Sequence, residues 1–167
     1  MEVHLSPELE SEVQALGNAL RARAWRLACA ESCTGGLIAA TCTAVAGASD
    51  WFERGFVTYS NASKCELLDV PPDLIARDGA VSKAVACAMA AGALAHSQAQ
   101  LAVAVTGVAG PGGALPGKPA GTVWLAIACK GQPVQAKLLQ LSGDRAAVRA
   151  QTVRCALQRL WAFSTRA

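Results

Sequence analysis

Two histidines are all that the 167-residue chain has, His4 near one end and His96 closing an Ala-rich helical pattern, so a nucleophile served by an imidazole base has poor raw material. Charge is sparse too, at 16% of residues, and aromatic side chains make up 5%. Fifteen Lys and Arg against twelve Asp and Glu leave a net charge of +3 with no basic run, which disfavours nucleic-acid binding. The longest apolar run, Ala84 to Ala95, falls well short of the roughly 20 residues that a membrane helix needs. Met1-Glu2-Val3-His4 lacks the basic start and apolar follow-on of a secretory leader, and neither end carries a lipidation motif. A cytoplasmic protein without membrane contact is the expectation. The seven cysteines stand singly at 29, 33, 42, 65, 87, 129 and 155, with no C-x-x-C pair and no histidine at ligand spacing; reduced thiols and no metal site follow.

What the chain has in quantity is apolar surface. The AVILMFWYC set reaches 53%, and the length suits one domain able to bury a core without staples. Ser6-Pro7 reads as an N-cap and first helical proline, with Leu9, Val13, Leu16 and Leu20 repeating at helical spacing to about Arg23. A short strand is predicted over Trp25 to Ala30, then a tight turn and a helix from about Leu37 to Val45. A strand at Gly55 to Tyr59 precedes helical pieces at Lys64 to Leu68 and Pro72 to Arg77, a helix from Ser82 to His96 and a strand from Leu101 to Val105. Thr106 to Gly121 holds six Gly and three Pro in 16 residues, an ordered functional loop or a mobile tip. Strands Thr122 to Cys129 and Val134 to Leu141 flank Lys130-Gly131-Gln132-Pro133 as an antiparallel hairpin, and a helix from about Asp144 to Phe163 closes the chain. The pattern predicts a single-domain α/β fold, a three-layer α/β/α sandwich with a mixed, mostly parallel sheet, the first 24 residues packing on the same core.

Three places can carry chemistry. Ser32-Cys33-Thr34-Gly35-Gly36 sets a hydroxyl between a strand and a helix, where free backbone N–H groups can hold an oxyanion or phosphate; alternatively, Ser32 or Thr34 simply caps the helix. A serine nucleophile without histidine needs another base, and Lys64 after the second strand is the best-placed lysine, its competing role being a surface residue capping a short helix. Neighbouring parallel strand ends share a crevice in which the two can converge. As a base, the lysine would need its value, about 10.4 when unperturbed, brought down. Gly112 to Gly117-Lys118 matches most of a Walker A pattern, but Pro119 takes the Ser/Thr position and a strand follows, so the loop is read as a single-phosphate cradle or a lid. Arg145 and Arg149 lie four residues apart on one face at a helix start, opposed by the dipole, and either Asp144 and solvent absorb that cost or the pair awaits an anion. Cys33 is read as a passive neighbour of Ser32.

Taken together, Ala30-Glu31-Ser32-Cys33-Thr34-Gly35-Gly36, Trp51 to Asn61 with Lys64, Gly79-Ala80-Val81-Ser82, Thr106-Gly107 with Ala109-Gly110-Pro111, Lys118-Pro119 with Gly121 to Trp124, and Gly143-Asp144-Arg145 resemble the CinA C-terminal domain family of nicotinamide mononucleotide deamidases. These motifs run in order from about residue 25 to residue 163. The resemblance implies an amidohydrolase that turns nicotinamide mononucleotide and water into nicotinate mononucleotide and ammonia with no metal or organic cofactor. It implies Ser32 as nucleophile, Lys64 as base and Tyr59 as a hydrogen-bonding third member, with the N–H groups of Cys33, Thr34, Gly35 and Gly36 near the oxyanion. Asn61, Thr106, Gly107, Gly110 and Arg145 are the expected substrate contacts, and a homodimer or higher homo-oligomer is implied. The loop Gly112-Gly113-Ala114-Leu115-Pro116-Gly117 is apolar where relatives often carry polar or acidic residues. Many relatives also carry an N-terminal domain related to molybdopterin-binding proteins; without it, only the deamidase activity is implied, not the pyrophosphatase activity associated with that domain. Two other readings compete: a non-catalytic nucleotide-binding regulatory protein, and an amidase using the same residues on another small substrate.

Overall fold

Alternation of side-chain size across one sheet organises the molecule. A computed structural model describes residues 4–166; positions 1–3, on which the reading of the amino terminus partly falls, lie outside the described residues. In chain order the elements are α1 (Pro7–Ala22), β1 (Leu27–Glu31), α2 (Leu37–Thr43), a 3-10 turn (Ala48–Asp50), β2 (Phe52–Val57), α3 (Asn61–Leu68), α4 (Pro72–Asp78), α5 (Lys83–Ala95), β3 (Leu101–Gly107), β4 (Thr122–Cys129), β5 (Gln135–Gln140) and α6 (Arg145–Ser164). The strands lie in the order β2-β1-β3-β4-β5. β1 pairs parallel with β2 and β3, while β3–β4 and β4–β5 are antiparallel, so the sheet is mixed and four of its five strands run one way.

One sheet face carries larger side chains, Leu27, Cys29, Leu101, Val103, Val105, Leu125 and Ile127, packed with α1, α2 and α6 through Leu16, Leu20, Ile38, Leu157 and Leu160. The other face is nearly all alanine, Ala28, Ala30, Ala102, Ala104, Ala126 and Ala128, and receives the equally small-residued α5 through Ala86, Met89, Ala90 and Ala93. Helices α3 and α4 pack beside α5 through Leu68 and Ile75, which completes the expected α/β/α layering. No helix among the described residues is long and apolar enough to cross a membrane.

The element borders differ from expectation where charged or polar residues hid a strand or a cap. β2 begins at Phe52, not Gly55, because Glu53 and Arg54 occupy a sheet edge, where they pair with each other at 2.7 Å, and Leu27 N–H donates to Trp51 O as pairing starts. Helix α3 begins at Asn61, not Lys64: Ser60 caps it, its Oγ accepting from Ser63 N–H at 3.1 Å. β1 runs one residue beyond Ala30, to Glu31. The Gly-rich loop is folded, with Leu115 and Lys118 exchanging backbone hydrogen bonds and Lys118 Nζ donating to Asp78 O at 3.2 Å.

Glycine is required at Gly92 on α5, where an added Cβ would collide with the Leu68 carbonyl of α3. Ala outranks Gly by about 1 kcal/mol in an open helix, but overpacking against backbone costs about 1–3 kcal/mol. Gly92→Ala should therefore destabilise the protein, by about 1–2 kcal/mol in urea unfolding, against the usual sign for this substitution.

Candidate active site

Side chains alternate across a strand, so the end of β1 sends consecutive polar groups to opposite sides of the sheet. Glu31 points with Leu27 and Cys29 toward α2, and Ser32, the next residue, turns its hydroxyl toward α3. There Ser32 Oγ accepts from Lys64 Nζ at 3.1 Å, and Ser32 N–H donates to Val105 O, tying the serine to the end of β3. Ser32 is 9% exposed, enough for a small substrate atom to reach it.

Lys64 is 1% exposed. Its ammonium donates to Thr58 O at 2.8 Å, approaches Tyr59 O at 3.4 Å and reaches Ser32 Oγ, so three neutral oxygens surround it. Among the described residues no carboxylate pairs with it. Burial without a counter-ion pulls its value below that of an ordinary lysine, which favours the neutral amine. Cys33 beside it behaves oppositely: burial, reinforced by the Glu31 carboxylate, pushes the thiol up to about 11 and keeps it protonated at neutral pH. A neutral amine against a serine hydroxyl can accept the hydroxyl proton as oxygen attacks a carbonyl carbon.

Neither Ser32 nor Thr34 caps α2. The N-cap is Gly36, at φ 99°, and the cap hydrogen bonds come from the buried Glu31 carboxylate. Glu31 Oε2 accepts from Thr34 Oγ1 at 2.6 Å and from Gly36 and Ile38 N–H at 3.0 Å, and Oε1 accepts from Ala39 N–H at 2.8 Å. Gly35 N–H donates to Ser32 O. Of the four turn residues expected near an oxyanion, Gly35 and Gly36 thus have committed N–H groups. Those of Cys33 and Thr34 donate to no other residue among the described residues. The sequence carries a signal for Glu31, a lone carboxylate at the end of an otherwise apolar strand.

A cavity of about 200 Å³ opens beside the serine. It brings together Ser32, Cys33, Tyr59, Asn61, Lys64, Thr106, Gly107 and Arg145, with Ala80, Val81 and Ala109 as apolar wall. Thr106 Oγ1 is spent on Ala80 O at 2.9 Å, so it shapes the wall. Gly107 is needed because a Cβ there would strike Thr122 O and Val123. Tyr59 is 63% exposed and meets Lys64 only through its backbone carbonyl. Its phenol oxygen instead accepts from Arg145 Nη2 at 3.2 Å. Arg145 Nη1 donates to Gly110 O at 2.9 Å, which is how Gly110, outside the cavity wall, joins the site. Arg149 reaches Thr34 O at 2.8 Å, so both arginines at the start of α6 end on neutral oxygens of the site's loops. The Walker-like segment from Gly112 to Lys118 is not part of the cavity wall. Among the described residues no group of three or more His, Cys, Asp or Glu could hold a metal ion.

The family model for the CinA C-terminal domain matches residues 9–163. The nicotinamide-nucleotide amidohydrolase PncC of Enterobacter agglomerans is 52% identical over 143 residues, 86% of this chain and 87% of that protein. The protein of the same name from Escherichia coli (strain K12) is 47% identical over 155 residues, 92% of this chain and 93% of that one. The crystal structure of competence/damage inducible protein CihA from Agrobacterium tumefaciens superposes with a TM-score of 0.94 at 39% identity, covering 99% of this chain and 100% of that one.

Lys64 predicts its own pH signature in stability. Its folded value lies below the roughly 10.4 of an unfolded lysine, so between the two the unfolded chain holds a proton that the folded chain has shed. Stability from this group therefore rises with pH across that window and is lost as pH falls through the folded value. Urea unfolding of the protein and of Lys64→Met at several pH values up to 10 should show the difference shifting in favour of the lysine as pH rises; a constant difference would contradict a lowered lysine.

Proposed function

Because this chain belongs to the CinA C-terminal domain family, we propose that it is a nicotinamide-nucleotide amidohydrolase, converting nicotinamide mononucleotide and water to nicotinate mononucleotide and ammonia through a serine–lysine pair. The observation that carries this reading is the 3.1 Å contact of Ser32 Oγ with a buried lysine that no carboxylate among the described residues neutralises. Neutral Lys64 takes the hydroxyl proton as Ser32 Oγ bonds to the carboxamide carbon. The carbonyl oxygen, now anionic, meets the N–H groups of Cys33 and Thr34. Collapse breaks the C–N bond; the lysine returns the proton to the leaving nitrogen and ammonia departs. Water then attacks the acyl-enzyme by the same route, and nicotinate mononucleotide leaves with Ser32 restored. The pyridinium ring assists by withdrawing electrons from the carboxamide.

Substrate contacts are assigned to Asn61, Thr106, Gly107 and Arg145 on the cavity wall and, through Arg145, to Gly110 and Tyr59. Arg145 has no carboxylate partner among the described residues, which suits it to an anionic phosphate. A cytoplasmic location is part of the same proposal, supported by seven free cysteines. So is homo-oligomerisation, which light scattering of the purified protein tests.

Ammonia release from nicotinamide mononucleotide by chelator-treated protein is the deciding assay. Ser32→Ala and Lys64→Ala should each lose about 10³-fold or more in kcat while staying folded. Activity should rise with pH along a limb set by Lys64, since only the neutral amine acts as base, with a midpoint below the ordinary lysine value. Arg145→Ala should raise KM about tenfold or more, the loss of one charged contact. A chain that binds the nucleotide but releases no ammonia would be a regulatory binding protein instead.

A further inference from the structure

Glu31 has no part in the chemistry just described, yet it is completely buried and lies one residue before the nucleophile. Each of its oxygens is turned only toward donors: Thr34 Oγ1 and the N–H groups of Gly36, Ile38 and Ala39, with Cys29 Sγ at 3.5 Å from Oε1. Three of those contacts, the backbone N–H groups, can only donate. The carboxylate thus occupies the start of α2 from inside the protein, where the helix dipole and unpaired N–H groups favour an anion. A charge this deep is expensive unless fully hydrogen-bonded, and at Gly36, whose φ is 99°, a capping Ser or Asp would be strained, so the carboxylate serves the turn and the helix start together.

We infer that Glu31 is the positioning residue of the nucleophile turn. Its carboxylate draws the N–H groups of Gly36, Ile38 and Ala39 and the Thr34 hydroxyl inward and so fixes the backbone of residues 32–36, leaving the Cys33 and Thr34 N–H groups as the turn's free donors beside Ser32. Arg149 holds the same turn from the other side through Thr34 O. The sheet separates this anion from Lys64: Glu31 lies on the α2 side and the ammonium on the α3 side, so the turn is anchored by a charge without giving the lysine a counter-ion. On either of the two possible amide orientations, Glu31→Gln would set an NH2 group against at least one backbone N–H, which releases the anchor while nearly preserving volume.

This inference rests on the serine–lysine reading, and its test separates the two. The protein, Glu31→Gln and Thr34→Val are compared in ammonia release from nicotinamide mononucleotide and in the rate at which a fluorophosphonate, a serine-directed reagent, labels Ser32. Circular dichroism and urea unfolding check that each is folded. Glu31→Gln should lose roughly 100-fold in kcat, the scale of a misplaced nucleophile, with KM within about threefold, the Lys64 pH limb unmoved and labelling slowed in parallel. Thr34→Val, which removes one donor and leaves the charge buried and otherwise bonded, should show the same pattern at about three- to tenfold. A folded Glu31→Gln that labels and turns over at the parent rate, or loses only KM, overturns the inference alone. Should Glu31→Gln not fold, Thr34→Val decides by the same criteria. A parent protein that neither releases ammonia nor labels overturns the serine–lysine reading and this inference with it.

Discussion

A lysine ammonium enclosed by protein, with three neutral oxygens around it and no anion among the described residues, is the constraint on which the site depends. Desolvation of such a charge costs several kcal/mol in real proteins unless the group sheds its proton. The carbonyls of Thr58 and Tyr59 offset part of that cost, and the rest appears as a weakened hold on the proton. A carboxylate beside Lys64 would make the fold more comfortable and the amine useless as a base. The molecule does own a buried carboxylate within one residue of the serine, but strand alternation turns it to the other side of the sheet.

Holding Lys64 there requires α3 to come close to the end of β1, and the packing beneath explains how. The alanine face of the sheet accepts α5 with small side chains on both sides, and Gly92 then lets the Leu68 carbonyl of α3 sit directly against α5. Ser60 caps α3 one turn ahead of the lysine and fixes the direction in which the helix starts. Asp69 closes it in a left-handed conformation and pairs with His96 Nε2 at 2.5 Å, joining the ends of α3 and α5. The opposite sheet face, with its larger aliphatic side chains, supplies the main core for α1, α2 and α6. One face is built for close approach and the other for mass of buried surface.

Much of this was legible in the sequence, for identifiable reasons. Long periodic segments such as Leu9 to Leu20 declared their helices, and Lys130 to Pro133 declared a hairpin, because apolar spacing and turn chemistry are local properties. Ser32 and Lys64 could be paired because histidine is scarce and both follow predicted strands. Illegible were the features decided by tertiary contact. Phe52-Glu53-Arg54 looks nothing like a strand until the fold sets it at the sheet edge, where the two charges pair with each other. The Tyr59 phenol was expected with the serine and lysine but meets Arg145, since only the folded loop shows which end of Tyr59 faces the amine. The role of Glu31 is hidden in the sequence because burial on all sides is invisible to a linear pattern.

The two arginines at the start of α6 show how an unfavourable local choice becomes a global one. Cations in a first helical turn oppose the dipole, and two at i and i+4 repel. Asp144 answers part of this by capping the helix, its Oδ1 accepting from Ala147 N–H at 2.8 Å. The guanidinium groups, however, reach away from their own helix: Arg145 to Gly110 O and the Tyr59 phenol, Arg149 to Thr34 O. Each ends on a neutral oxygen of a loop that borders the cavity, so α6 acts as a rigid mount from which two arms reach the β2–α3 loop, the Gly-rich loop and the nucleophile turn. Because those oxygens carry no full charge, they hold the guanidinium groups without neutralising them, and the charge of Arg145 on the cavity wall is kept. An acidic partner would have fixed the loops more tightly and cancelled a positive charge that an anionic substrate can use.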